Sequence, residues 1–197
     1  TYRLAETLAV GPELSGTPER PTVLRAESKG SVTLFGSAVI SGWTPWRAGI
    51  WKARLPGDLP VGQLYFHGQR QTLARVPDRD PERPRTGGLL YVIAPDRDDP
   101  RTKFHYDRSL LDPSLWLNPT AARVVIWPGP NWNCGHRQVT SVDLEQGVLA
   151  IQRPRYDLRR GNRFYIENVL EELDAPGEWY ADRANRLLYF KPPTQSP

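Results

Sequence analysis

Turn-forming residues divide this chain into short pieces, and that feature limits its possible folds more than any other. The 197 residues include 20 prolines and 16 glycines. Proline removes a backbone donor and glycine costs backbone entropy, so both disfavour long helices. The apolar stretches between these breaks are short, as in residues 32–35 and 38–40. We therefore predict a mainly β protein built from many short strands, with very little helix.

Residues 1–48 have the pattern of a β-solenoid coil. Their short apolar stretches and frequent turns suit a solenoid better than a sandwich, whose strands are usually longer. One coil cannot bury its own apolar face, so further coils must stack on it. The chain also begins in a strand-like stretch, residues 1–4. We expect it to be a segment of a longer protein.

Residues 49–190 alternate apolar and polar side chains in the manner of half-buried strands. His67-Gly68 is a hairpin turn, and residues 178–181 and 187–190 form a second hairpin. Repeated hairpins of this kind are typical of an antiparallel β-barrel. We predict that residues 49–190 form such a barrel and that residues 191–197 lead out of it.

Charge and hydropathy argue against two classes of partner. The 26 basic and 22 acidic residues are interleaved, as in Asp96-Arg97-Asp98-Asp99, whereas a nucleic-acid binder clusters its basic residues on one face. No apolar run approaches the roughly 20 residues that span a bilayer. We expect neither nucleic acid nor membrane as a partner.

Three stretches resemble a known family. Residues 161–183 (GNRFYIENVLEELDAPGEWYADR) together with residues 188–193 (LYFKPP) are the most specific match, and residues 72–77 and 127–133 add weaker ones. They resemble bacterial right-handed parallel β-helix glycoside hydrolases of the fucosidase/xylanase group, with α-1,3-galactosidases as distant relatives. The resemblance implies a β-barrel inserted after the first coil of a right-handed parallel β-helix.

The resemblance also implies where the chemistry lies. In that group the catalytic carboxylates are carried on β-helix coils that follow the barrel, so no residue of this chain inherits a catalytic role. The expected function is that of a non-catalytic portion of a secreted polysaccharide hydrolase, which shapes the substrate groove or buttresses the helix. Its partners would be an oligo- or polysaccharide and the remaining coils, and its location extracellular or periplasmic.

Two alternatives remain open at this stage. One is a carbohydrate-binding or structural module without any enzyme, and the other is a phage or cell-surface β-helix adhesin carrying the same insert. Paired carboxylates on later coils of the parent protein would indicate an enzyme.

The densest acidic cluster comprises Glu171, Glu172, Asp174 and Glu178. Glycoside hydrolysis needs two carboxyl groups, about 5–5.5 Å apart for retention or 6.5–9.5 Å apart for inversion. Asp174 begins a Pro-Gly turn, where Asp is a common turn former. Ile166, Val169, Leu170 and Leu173 have helical spacing, which would place Glu171 and Glu172 on the polar side of a short helix. We favour this structural interpretation over catalysis.

The loop of residues 127–136 is the best candidate binding site. Aromatic faces and amide groups are common in sugar recognition, and Pro128, Gly129 and Pro130 disfavour regular structure there. An irregular loop runs over the surface, so Trp132 should be at least partly exposed. Alternatively, the Trp residues plug the barrel and the Asn residues satisfy turn backbone. The candidate ligand contacts are Trp127, Asn131, Trp132, Asn133 and His136.

No metal or cofactor is expected. His67, His105 and His136 lack zinc spacing, and Cys134 is the single cysteine. The Asp96–Asp99 stretch could suggest calcium, which prefers oxygen ligands, but it lacks the ordered Gly-containing loop of a known site. We interpret it as a solvated loop.

Overall fold

The computed structural model describes residues 1–4, 6–57, 61–193 and 197, and its backbone divides into two units. In the first unit, Thr1–Ser41, strands β1 (Tyr2–Arg3) and β2 (Leu34–Phe35) pair in parallel, and one 3-10 helix spans Pro12–Leu14. Parallel pairing of short strands is the pattern that a solenoid coil uses. The β-helix that would extend this coil stays a prediction.

The second unit, Gly42–Pro197, begins earlier than the barrel domain that we expected from residue 49 onward. Strand β3 (Thr44–Arg47) lies within the predicted first segment, yet it pairs with β4 (Ile50–Arg54) of the second unit. Of the predicted outgoing segment 191–197, residues 194–196 lie outside the described residues.

The second unit is built from short strands. Among the residues that the structure describes there is no α-helix, and no helix is long and apolar enough to cross a membrane. The predicted mainly β class is confirmed. Two further 3-10 helices span Pro113–Leu115 and Pro119–Ala121, and the remaining strands are β5 (Tyr65–Phe66), β6 (Gln69–Arg70), β7 (Thr72–Leu73), β8 (Arg75–Val76), β9 (Leu90–Tyr91), β10 (Ala94–Pro95), β11 (Lys103–His105), β12 (Arg123–Ile126), β13 (Gly135–Asp143), β14 (Val148–Ile151), β15 (Arg163–Glu167), β16 (Glu178–Asp182) and β17 (Leu187–Lys191).

The larger sheet has the order β10-β11-β14-β13-β12-β15-β8, and β9 also pairs with β15. Strands β9 and β10 are two halves of one bent segment. Its first half pairs with β15 and its second half with β11, and the hydrogen bonds of Val92 to Asn162 and Ile93 to His105 continue the pairing between them. The segment of β9 and β10 therefore connects β15 and β11, which lie near opposite ends of the strand order, around one core. The position of this sheet as an insert in a β-helix stays a prediction.

Alternation along the strands fills that core. Val124 and Ile126 of β12, and Phe164 and Ile166 of β15, are fully buried, while the residues between them point to the outer face. Successive strand residues point to opposite faces, so one face can be apolar and the other polar. The outer face of these two strands thus carries the polar residues Arg123, Tyr165 and Glu167, together with the buried Val125.

The smaller sheet has the order β3-β4-β17-β16-β7, and a stretch of five residues joins it to the larger one. Strand β7 pairs with β16 of the smaller sheet, and β8 pairs with β15 of the larger sheet. Between β7 and β8, the Ala74 N–H donates to Trp179 O at 2.7 Å and Ala74 O accepts from the Asn168 N–H at 3.0 Å. We call residues 72–76 the bridging segment.

The prediction of a short helix within residues 166–173 is wrong. Ile166 and Glu167 continue strand β15, where they pair with Val76 and Arg75. Asn168 then takes a positive φ of 67°, a conformation that interrupts both strand and helix. Turns follow as far as β16. The apolar residues at helical spacing do not share a helix face. Ile166 and Val169 pack in one hydrophobic cluster, whereas Leu170 and Leu173 pack in another.

Candidate functional site

A polar groove of about 560 Å³ lies in the second unit. One wall is the outer face of strands β8, β12, β13 and β15, and the other walls come from residues 61–73 and from β16. The lining residues are mostly polar or charged and comprise Val61, Gly62, Gln63, Arg70, Gln71, Thr72, Leu73, Arg75, Arg79, Arg123, His136, Tyr165, Glu167, Asn168, Trp179, Ala181 and Arg183.

Strand register brings the charged side chains of this wall together. Glu167 pairs directly with Arg123 on one side and with Arg75 on the other. Tyr165 pairs with Val125, and Val125 pairs with His136 on the far side. Since directly paired residues share a face, these polar residues form two adjacent rows across four strands.

Glu167 is the centre of a fixed polar network. Its Oε1 atom accepts from the Arg123 guanidinium at 2.9 Å and lies 2.9 Å from Nδ1 of His136. Glu167 is buried, whereas His136 is exposed. A buried carboxylate that is held by two partners keeps one orientation. The network therefore presents Arg123 and His136 to the groove in defined positions.

Arg75 covers the Tyr165 ring. The guanidinium lies 3.6 Å from the ring centroid, and its Nε donates to Pro77 O at 2.8 Å while a terminal nitrogen donates to Gly88 O. Burial lowers the pKa of Arg75, and burial, followed by the Glu167 charge, raises the pKa of Tyr165. One face of this ring is thus unavailable for stacking against a ligand, and its hydroxyl stays protonated at neutral pH.

Three further arginines give the groove a positive character. Arg183 donates to Val61 O at 3.2 Å, while the guanidinium groups of Arg70 and Arg79 make no hydrogen bond or ion pair with any other described residue. Glu167 is the one carboxylate among the described lining residues, and it is already paired. The groove can therefore supply free guanidinium groups to an anionic ligand.

Of the predicted binding residues, the structure brings one into the groove. His136 lies on β13 and contacts Glu167, whereas Trp127, Asn131, Trp132 and Asn133 are not among the groove residues. Trp127 is half-buried beneath the guanidinium of Arg163, at 4.8 Å from the ring centroid. Asn133 is exposed.

Asn131 satisfies turn backbone, as the alternative interpretation of this loop proposed. It has a φ of 63°, its Oδ1 accepts from Asn162 Nδ2 at 3.1 Å, and its Nδ2 donates to Gly161 O at 3.4 Å. Trp132 is 69% exposed, which confirms the predicted exposure of its side chain. A direct contact of either residue with ligand stays a prediction.

Trp132→Ala should change the free energy of unfolding by less than about 0.5 kcal/mol, because substitutions at exposed positions away from packed features have small effects. Denaturant unfolding of the variant and the wild type checks this. If the loop instead plugs the fold, the variant will lose several times that amount. Titration of both proteins with oligosaccharides, followed by Trp fluorescence, then shows whether Trp132 contacts sugar.

Sequence reasoning missed Arg123, Tyr165 and Glu167. Each lies at an outward position of a strand whose inward neighbours are apolar, and that alternation was the available signal. It shows that the three side chains leave the core. It does not show that β12 and β15 are neighbours, so the network could not be assembled from the sequence.

The acidic residues singled out in the sequence lie outside the groove. Glu172 accepts from Trp116 Nε1 at 2.7 Å, and burial raises the pKa of its carboxyl. Asp174 and Glu178 lie near Asp78 instead. In the other acidic stretch, Asp96 Oδ1 accepts from the backbone N–H groups of Asp98 and Asp99 at 3.0 Å each, which is a hydrogen-bonded turn.

Comparison with known proteins places this fold. No protein-family model matches the chain, and no curated protein matches it. A solved structure named glycoside hydrolase superimposes on 98% of the chain with a TM-score of 0.77 and 25% sequence identity. The chain spans 34% of that protein, about one third of its length. The fold is thus related to part of a glycoside hydrolase.

Proposed function

We propose that this chain is a non-catalytic portion of a polysaccharide hydrolase and that its groove contributes to binding the substrate. The observation that carries the proposal is the groove around Glu167, in a fold related to part of a glycoside hydrolase. Its volume lies within the usual range of ligand sites. Arg123, His136 and Tyr165 offer donors suited to sugar hydroxyl and carboxyl groups.

The carboxylate content of the groove favours binding over hydrolysis. Acid-catalysed cleavage of a glycoside commonly uses two carboxyl groups on either side of the scissile bond. Among the described lining residues, Glu167 is the one carboxylate, and Arg123 and His136 already hold it. The catalytic pair would then belong to another part of the parent protein.

The charge of the groove favours an acidic polysaccharide. The guanidinium groups of Arg70 and Arg79 have no hydrogen-bond or ion-pair partner among the described residues, and both residues line the same groove as Arg183. Guanidinium groups bind carboxylates through two parallel hydrogen bonds. Tyr165, with one face covered by Arg75, is poorly placed for neutral pyranose stacking. Uronate carboxylates or sulfate esters are therefore the proposed ligand groups.

A second role, as a buttress, is supported by the first unit. Its exposed apolar side chains include Tyr2, Leu8, Val23 and Leu24, with Leu24 exposed by 74%. Exposed apolar surface of this kind commonly marks an interaction site. Further β-helix coils are the proposed occupants. An extracellular or periplasmic location is proposed as well, since polysaccharide substrates lie outside the cytoplasm.

Arg79→Ala and Arg70→Ala should each weaken binding of a uronate oligosaccharide by about tenfold, because each removes a charge-assisted hydrogen bond. Isothermal titration of the full chain with an oligogalacturonate measures this. Arg97→Ala removes an exposed arginine that does not line the groove and is the matched control, expected to leave the affinity unchanged.

A neutral oligosaccharide of equal length and an assay for new reducing ends complete the test. Weaker binding of the neutral sugar and no release of reducing ends are expected. Equal affinity for both sugars would overturn the anionic preference. Failure to bind either sugar would remove the groove as a binding site, and turnover by the chain alone would contradict the non-catalytic assignment.

A further inference from the structure

Three carboxylates from two separate stretches of the second unit meet outside the groove. Asp78 follows the bridging segment, Asp174 lies in the turn before β16, and Glu178 is the first residue of β16. One carboxylate oxygen from each lies within 4.8 Å of the others. Calcium binds oxygen ligands at about 2.3–2.6 Å, so oxygens at this separation can all reach one Ca²⁺ ion.

Glu178 supplies an independent reason to expect a ligand. The residue is only 2% exposed, and its Oε1 atom is fully buried without a hydrogen-bond partner among the described residues. The other oxygen, Oε2, accepts one long hydrogen bond, from the Ala175 N–H at 3.4 Å. A buried carboxylate normally has several partners. Here a buried carboxylate with an unsatisfied oxygen is held beside two other carboxylates.

The nearby cations do not pair with this cluster. Lys191 Nζ donates to the backbone oxygen of Asp174 at 2.7 Å rather than to a carboxylate. The Arg75 guanidinium is directed to Pro77 O, Gly88 O and the Tyr165 ring. No ion pair joins Asp78, Asp174 or Glu178 to a basic side chain among the described residues. The charges of Arg75 and Lys191 offset only part of the burial that raises the pKa of Asp78, and neither residue forms an ion pair with the three carboxylates.

We infer that Asp78, Asp174 and Glu178 bind one divalent cation, with Ca²⁺ as the preferred ion. All three ligands are carboxylate oxygens, which hard cations prefer. Asp78 and Asp174 are exposed, which gives an ion a route from solvent and leaves room for water ligands. Mg²⁺ demands a stricter octahedral geometry and gives up its water reluctantly, so it should bind more weakly.

Titration of the full chain with CaCl₂ after dialysis against a chelator tests the inference. We expect one Ca²⁺ per chain and weaker binding of Mg²⁺. At a Ca²⁺ concentration about 100 times the Kd, the Tm should rise by about 5–10 °C. Asp174→Asn, at an exposed position, should weaken Ca²⁺ binding at least about tenfold, and Glu178→Gln should abolish the rise in Tm.

Asp98→Asn is the matched control. It neutralises an exposed aspartate of the other acidic stretch and should leave both the stoichiometry and the affinity unchanged. The absence of any Ca²⁺ binding would overturn the inference, as would binding that persists in Asp174→Asn and in Glu178→Gln. If Asp98→Asn alone lost binding, the cation site would lie in the Asp96–Asp99 turn instead.

Discussion

Phe164→Ala is expected to lower the free energy of unfolding of the second unit by about 3–5 kcal/mol, the usual cost of removing a buried phenylalanine ring. Phe164 is fully buried, and its ring packs edge-on against that of Phe104 with 5.0 Å between the centroids. Both lie in the core that the ring of strands encloses. Truncation leaves a cavity in the middle of that core.

Guanidinium unfolding monitored by Trp fluorescence measures this loss. All seven Trp residues lie in the second unit, so the signal reports on that unit. Leu117→Ala is the control, since Leu117 is 89% exposed and should contribute little. A loss of less than about 1 kcal/mol in Phe164→Ala would contradict the placement of this residue at the centre of the core.

In a chelating buffer, the stability of the protein should fall as the pH rises from about 4.5 to about 8. Burial, and then the charge of Asp78, raises the pKa of Glu178 to about 8 from its usual 4.5. Asp174 adds to the rise, while the hydrogen bond from the Ala175 N–H opposes it. Below pH 4.5 the Glu178 carboxyl is protonated in both the folded and the unfolded states, so it does not reduce the stability there.

Between these pH values Glu178 is ionised in the unfolded state but still protonated in the folded state. Folding therefore becomes progressively less favourable as the pH rises. Above pH 8 the cost reaches its full size of about 5 kcal/mol. Glu178→Gln removes this dependence, so the variant should gain stability over the wild type as the pH rises, by that amount between pH 4 and pH 9. Chemical denaturation at several pH values measures the difference. A constant difference would show that Glu178 ionises normally in the folded protein.

Local patterns in the sequence predicted the parts of this fold that depend on neighbouring residues. The hairpin expected from residues 178–181 and 187–190 is present as β16 and β17. The helix expected within residues 166–173 is absent, because strand pairing of Ile166 and Glu167 outweighs a periodicity that extends over only two turns. Tertiary pairing decided the structure there.

The candidate sites could not be predicted from local patterns, because they form where segments that are distant in the sequence meet. Composition singled out His136, and alternation places Arg123 and Glu167 on the outer face, but only strand order brings the three into contact. Asp174 and Glu178 were conspicuous in the sequence, whereas Asp78 was one of many loop aspartates. Its proximity to them follows from the course of the bridging segment, which no local pattern reveals.

The bridging segment also affects how the second unit unfolds. Residues 72–76 supply hydrogen bonds to both sheets. The fully buried Ala74 donates its N–H to Trp179 of the smaller sheet and accepts at its carbonyl oxygen from Asn168, directly after β15. If either sheet unfolds, the bridging segment is released, and the other sheet loses its hydrogen bonds to that segment. Regions that share such hydrogen bonds open together. We therefore expect the two sheets to unfold as one cooperative unit, although their strands belong to separate ladders.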